Sequence, residues 1–336
     1  MIDMTQRQGR IMARIQASRR GLLGGAAALM ASGARAQGTA PPIRVLSGFA
    51  PGGAVDIVAR IAQEAIARRT GRQVVVETRS GALGFIALQG TARAAPDGLT
   101  VGIGIMGNMS VAPAVPGSTI PLDLDRELLP VCNLAGTPMA LIARPDAPFS
   151  TLAEFVAWAK ERPGRVTYAS TGNGSTNQLA AEYLAREAGL QMVHVSYRGG
   201  APAGMDLMAG RVDIFFGNVA EFATMIRDRQ VKGLGLAATR PSAMVPELPL
   251  LTRDYPALEI NNWFGLFGPA ALPAPIAEAT ARLFTEAMTD PQTLPVLAAR
   301  GLDPLPEIGP AFAARIRADR ERWGAVARAA NIRADG

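Results

Sequence analysis

Phe49-Ala50-Pro51-Gly52-Gly53-Ala54-Val55-Asp56 stands between two patterned segments. Ile43 to Phe49 is apolar and β-compatible, while Ile57, Val58, Ile61, Ala62, Ala65 and Ile66 recur downstream at helical spacing. A strand, a tight turn and the start of a helix therefore follow in order. The first N–H groups of a helix lack internal partners and carry the positive end of its dipole, so such a turn can hold a carboxylate or phosphate without a cation. Gly52 and Gly53 let the backbone approach closely. The same residues also suit an ordinary turn with Asp56 in the first helical turn. The loop alone leaves both readings open.

Working outward, strand-like and helical runs alternate: Ile43 to Phe49, Asp56 to Arg69, Val74 to Glu77, Phe85 to Ala94 and Thr100 to Ile105. This rhythm, with a hydrophobic share of 49% and few aromatics, predicts an α/β protein. After the irregular stretch Pro113 to Pro121 a second block begins with a strand over Pro138 to Arg144. A helix then opens at Ser150-Thr151-Leu152-Ala153-Glu154. Three strand–loop–helix units follow, with loops at Ser170 to Asn177, Arg198 to Pro202 and Gly217-Asn218. In parallel sheets such loops gather at the carboxyl ends of the strands, so these three and the opening loop are expected to line one cleft. Trp263 to Phe267 returns as a strand, and helices are expected from about Pro275 to Met288 and Ile308 to Ala330.

The chain has 336 residues and a formal charge of +6. That excess does not imply nucleic acid, because Arg7, Arg10, Arg14, Arg19, Arg20 and Arg35 against Asp3 place most of it before residue 37. With the apolar run Leu22 to Met30 and Ala34-Arg35-Ala36 as a small-residue cleavage site, residues 1–36 read as an export signal removed after Ala36. Ser18-Arg19-Arg20-Gly21-Leu22-Leu23 resembles a twin-arginine motif, which gives a periplasmic destination. Cys132 is the single cysteine, so no intramolecular disulfide forms.

Signals for chemistry are sparse. Gly102-Ile103-Gly104-Ile105-Met106-Gly107 spells G-x-G-x-x-G, yet its glycines interrupt a strand instead of following one. A Ser-His-Asp hydrolase would need His194, the sole histidine, which falls inside a strand. No metal-ligand spacing and no cofactor motif is seen, and a non-enzymatic binding role is expected. The loop Met106-Gly107-Asn108-Met109-Ser110 offers Asn108 and an apolar wall, although methionines more often fill cores. Arg198 is the charged residue flanking a cleft loop: either it pairs with a ligand carboxylate or it is solvated. Trp263 and Phe264 either cover an apolar ligand portion or pack in the core or hinge.

With these pieces placed, the chain resembles the periplasmic solute-binding receptors of tripartite tricarboxylate transporters, the Bug family. The resemblance rests on Phe49 to Asp56 with Ile57-Val58-Ala59-Arg60, on Ser170 to Leu179, on His194 to Pro202, and on Asn262 to Pro269. Smaller agreements are Val74-Val75-Val76-Glu77, Ala95-Pro96-Asp97-Gly98 and Gly210-Arg211-Val212-Asp213. It implies a two-lobed periplasmic binding protein fold of the second type, each lobe a mainly parallel sheet flanked by helices. Residues 41–143 with 262–336 are then expected as lobe 1 and 144–261 as lobe 2. It further implies a small organic carboxylate held between Pro51 to Asp56 and Ser170 to Asn177, and delivery to membrane transporter subunits by a monomer. The expected ligand-binding set is Phe49, Pro51, Gly52, Gly53, Ala54, Asp56, Asn108, Ser170, Thr171, Gly172, Asn173, Ser175, Arg198 and Asn218. Asp56 is expected not to face the carboxylate, because like charges repel, and either to orient loop or water or to accept from an amide or hydroxyl group of the ligand. A sensory module reporting to a membrane partner is the alternative, and an exported hydrolase a third reading. Two departures from the family pattern stand out: Gln178 replaces a common histidine, and Gly217 replaces a common aspartate, which argues against an amino-acid ligand.

Overall fold

A computed structural model describes residues 41–333. The export signal, its twin-arginine motif and the cleavage site after Ala36 lie outside the described residues.

β1 (Ile43–Ser47) leads through the opening loop into α1 (Ala54–Thr70). The helix buries Val55, Val58, Ala62, Ala65 and Ile66, the stripe read from the sequence, and stops at Gly71, whose left-handed conformation directs its N–H to the Ala67 carbonyl. Arg68 and Arg69 complement the dipole in its last turn. β2 (Val74–Thr78), α2 (Phe85–Ala92) and β3 (Thr100–Ile105) complete the first block. β1 pairs in parallel with β2 on one side and β3 on the other.

β4 (Leu128–Ala143) is the long element of the molecule. Beyond it come α3 (Leu152–Lys160), β5 (Val166–Ser170), α4 (Thr176–Ala188), β6 (Met192–Ser196), α5 (Gly200–Met208), β7 (Ile214–Asn218), α6 (Val219–Arg227) and β8 (Lys232–Ala237). The chain then returns as β9 (Asn261–Pro269), α7 (Ala274–Met288) and the C-terminal α8 (Pro310–Ala329). α3 opens with a capping box whose cap is Thr151, one residue after Ser150: the Thr151 side chain accepts from the Glu154 N–H, and Glu154 reaches back.

Two lobes follow from the pairing. The first sheet runs β2-β1-β3-β9-β4 and the second β6-β5-β7-β4-β8. In each, the outer βαβ strands are parallel and the strands nearest the crossing are antiparallel, so the sheets are mixed. β4 changes partner from β9 at Pro138 to β7 and β8 at Met139, ahead of the lobe boundary after residue 143 expected from the sequence. The second crossing lies between β8 and β9, where the Ile260 N–H donates to the Ala237 carbonyl. At the crossing, buried Thr137 accepts from the Ala220 N–H at 3.3 Å and donates to the Gly301 carbonyl at 2.8 Å, tying β4 to both lobes.

α8 braces the first lobe by burying Phe312, Ile316 and Trp323, while Asp319 accepts from the Trp263 indole at 2.7 Å. Trp263 also meets Phe312 edge to face at 5.1 Å, which makes it a core residue. Met106 and Met109 are core residues too, not cleft walls. Gly102 is small because a methyl group there would lie 2.1 Å from Thr91 Oγ1, so the G-x-G-x-x-G is a packing feature. No described helix is long and apolar enough to cross a membrane.

Candidate functional site

Two neighbouring spaces open between the lobes. The outer one, of about 920 Å³, lies between Gly81 to Ile86 with Phe49 on one lobe and Thr171 to Asn173 with Ser196 to Arg198 on the other. The inner one, of about 20 Å³, lies deeper, and Phe49 and Thr171 border both. Four helix starts converge on the inner space: Gly53-Ala54 of α1, Thr176-Asn177 of α4, Gly200 of α5 and Asn218 before α6. Each brings the partial positive charge of its helix dipole toward this space.

The opening loop is held by a carboxylate of its own helix. The Gly52 N–H donates to Asp56 Oδ2 at 3.0 Å, and Arg60 Nε donates to the same oxygen at 2.9 Å, so Asp56 braces the turn from within its own helix. Gly52 has φ +82°, a conformation that favours glycine. Pro51 and Gly52 are exposed on the rim; Gly53 and Ala54 are buried and face the inner space. Across the cleft the Ala50 N–H donates to the Arg198 carbonyl at 3.1 Å.

The opposing loop is held by its own polar residues. Ser170 Oγ lies 2.5 Å from His194 Nε2 and accepts from the Gly172 N–H at 3.1 Å. His194 is half-buried and stacks on Tyr168, and burial lowers its pKa. Thr171 donates to Asn177 Oδ1, whose amide nitrogen donates to the Phe216 carbonyl. Gln178, at the family's histidine position, accepts from the Gly174 N–H at 2.6 Å and so shapes the turn. Gly172 has φ +134° and stands against Leu83 of the other lobe.

Six expected site residues border neither space: Gly52, Asp56 and Ser170, which hold the loops as described above, and Asn108, Ser175 and Pro51. Asn108 lines neither space: its Oδ1 accepts from the Ile105 N–H and its Nδ2 donates to the Leu83 carbonyl, so it pins the end of β3 beneath the turn at Ala82–Gly84. Ser175 is the N-cap of α4 and accepts from the Gln178 N–H. Pro51 shapes the rim without bordering either space. Phe49, Gly53, Ala54, Thr171, Gly172, Asn173, Arg198 and Asn218 border one space or both. Phe264 borders the inner space, whereas Trp263 does not.

The residue that sequence reasoning missed is Glu221, in the first turn of α6. Its Oε1 accepts from Asn218 Nδ2 at 2.8 Å, and Asn218 Oδ1 accepts from Asn262 Nδ2 at 3.0 Å. Burial raises the Glu221 pKa, against the opposing pull of the Asn218 amide and the Ala54 N–H. The cradle at the start of α1 thus faces the protein's own carboxylate. Gly217 corrects a second expectation. A side chain there would lie 2.4 Å from Phe222 and 3.3 Å from Ile142, so it points into the second lobe's core and not into the cleft.

Two α/β lobes joined by crossing strands, with loops of both lobes around one ligand-sized space, define a two-lobed periplasmic binding protein fold of the second type. The sequence profile of the tripartite tricarboxylate transporter family receptor matches residues 58–332, and this chain belongs to that family. A protein of the tcbD-tcbE intergenic region of Pseudomonas sp. is 32% identical over 91% of this chain and 92% of its own length. Among solved structures, one described as a periplasmic transporter is 29% identical with a TM-score of 0.83, over 88% of this chain and 98% of that one. MatC from Rhodopseudomonas palustris, solved with bound malate, is 27% identical with a TM-score of 0.78, over 85% and 98% of the two chains.

Proposed function

We propose that this protein is a periplasmic receptor that captures a small organic carboxylate between its lobes and presents it, as a monomer, to the membrane subunits of a tripartite tricarboxylate-type transporter. Family membership and the malate held by MatC support the ligand class. The observation that carries the reading is the outer space. Loops of both lobes line it, and Arg198 is the one charged residue among the described residues of its wall. A guanidinium takes a carboxylate in two parallel hydrogen bonds, and the hydroxyl and amide groups of Thr171 and Asn173 add neutral partners. A ligand touching both lobes favours the closed arrangement over an open one, which gives a transporter two shapes to distinguish. The lobe division carried in this proposal is 41–138 with 261–333, and 139–260.

Delivery in the periplasm depends on the export signal read at residues 1–36, with processing after Ala36. A calorimetric screen of the purified protein against mono-, di- and tricarboxylates and their uncharged amides tests the reading. Saturable binding of an acid supports it, and a general preference for amides overturns it.

A further inference from the structure

The inner space holds buried hydrogen-bond acceptors that are left unpaired. A carboxylate offers only lone pairs, so Asn218 must turn its NH2 to Glu221 and its carbonyl oxygen to Asn262. Asn262 must then donate, which leaves its own Oδ1 over. The two ends of this amide chain, Glu221 Oε2 and Asn262 Oδ1, are buried with no hydrogen-bond partner, and both residues line the inner space. Thr176 Oγ1, from the facing helix start, is likewise unpartnered. Asn262 and Thr176 are each 2% exposed. No lysine, arginine or histidine borders this space. Leaving a buried acceptor unmet costs about 1–3 kcal/mol, and more for a charged one.

The surroundings are arranged to keep the carboxylate there. A methyl group on Gly200 would lie 1.8 Å from Glu221 Oε2, so the start of α5 is cut back to admit it. The four converging helix starts supply the partial positive charge that lets an anion be buried. Thr176 offers one hydroxyl donor against two unmet acceptors among the described residues of the wall, so a further donor must come from outside the chain.

We propose that the ligand supplies this donor: an ammonium group seated between Glu221 Oε2 and Asn262 Oδ1, which makes the receptor selective for amino-substituted carboxylates over plain ones. The inference rests on the carboxylate-receptor reading and deepens it. The ligand spans both spaces, its amino end inward at Glu221 and its carboxylate outward toward Arg198. Glu221 thus supplies to this space an acidic group that position 217, turned into the core, does not.

The test is calorimetry with matched pairs on the wild-type protein and on Glu221→Gln, whose side chain is isosteric and whose folding is checked by circular dichroism. Suitable pairs are butyrate with 4-aminobutyrate, pentanoate with 5-aminopentanoate, succinate with aspartate, and glutarate with glutamate. A charge-assisted bond predicts that in at least one pair the amino compound binds wild type about tenfold tighter or more, and that Glu221→Gln removes this preference while plain-acid affinity stays. Tighter binding of the plain acid in every pair overturns the inference, as does a preference that survives Glu221→Gln. A gain in plain-acid affinity in the variant without loss for the amino partner also overturns it, leaving Glu221 as an internal occupant of the cradle. Binding of plain acids alone defeats only this inference, whereas binding of uncharged amides in place of all acids defeats the reading beneath it.

Discussion

The backbone N–H of Ala50, on the first lobe, donates to the carbonyl oxygen of Arg198, on the second, at 3.1 Å. This bond spans the cleft at its mouth and exists only when the lobes meet. Hydrogen exchange at the Ala50 amide is therefore expected to slow when a ligand holds the lobes together, while the Val45 amide inside β1 keeps its rate. Equal Ala50 exchange with and without saturating ligand would contradict the closing mechanism.

Arg198 is exposed and borders the outer space, so its removal should affect the ligand far more than the fold. Arg198→Gln is expected to weaken carboxylate binding about tenfold or more, the scale of a lost charge-assisted pair, with the melting temperature nearly unchanged. Titration calorimetry beside a thermal melt reads both quantities.

Ser175 should behave in the opposite way. Because its hydroxyl caps α4, Ser175→Ala is expected to cost about 1 kcal/mol of stability in urea denaturation and to change affinity little. A variant with intact stability and lost binding would return Ser175 to the ligand site.

The crossing at β4 gives a fourth expectation. Thr137→Val leaves the buried Ala220 N–H without its acceptor and the partly buried Gly301 carbonyl without its donor. The loss is expected at about 1–3 kcal/mol for each stranded group, measured as a lower urea midpoint.

Glu221 sets a pH dependence. Burial raises its folded pKa above the unfolded value, so the folded state holds the proton more readily, and stability falls as pH rises through that window. Glu221→Gln removes this loss. Its melting temperature should exceed that of wild type by a margin that grows from about pH 4, the unfolded glutamate value, toward neutrality. A margin that does not change with pH would show that Glu221 carries no raised pKa.

Much of this architecture was legible in local pattern. The strand–turn–helix at Ile43 to Thr70 declared itself because apolar period, glycine and first-turn acid all fall within one continuous segment. The loops after β5 and β7 were legible for the same reason. Polar loop residues were over-read: Asn108 and Ser175 sit in the right segments, but each serves a nearby backbone N–H or carbonyl. Residue type does not say which way a short polar side chain turns. Glu221 escaped because an acid in a first helical turn has an ordinary dipole explanation. Only the packing of α6 beside the starts of α1 and α5 carries it into the cleft. Gly217 misled because which face of β7 it occupies depends on register against Phe222.

The most direct test of the central claim is one calorimetric comparison on the purified protein, between the tightest-binding acid of the panel and the primary amide of that acid. The account predicts that the acid binds saturably at one site per chain and that replacing its carboxylate by the amide weakens binding about tenfold or more. An amide that binds as tightly as the acid would show that the cleft does not recognise a carboxylate.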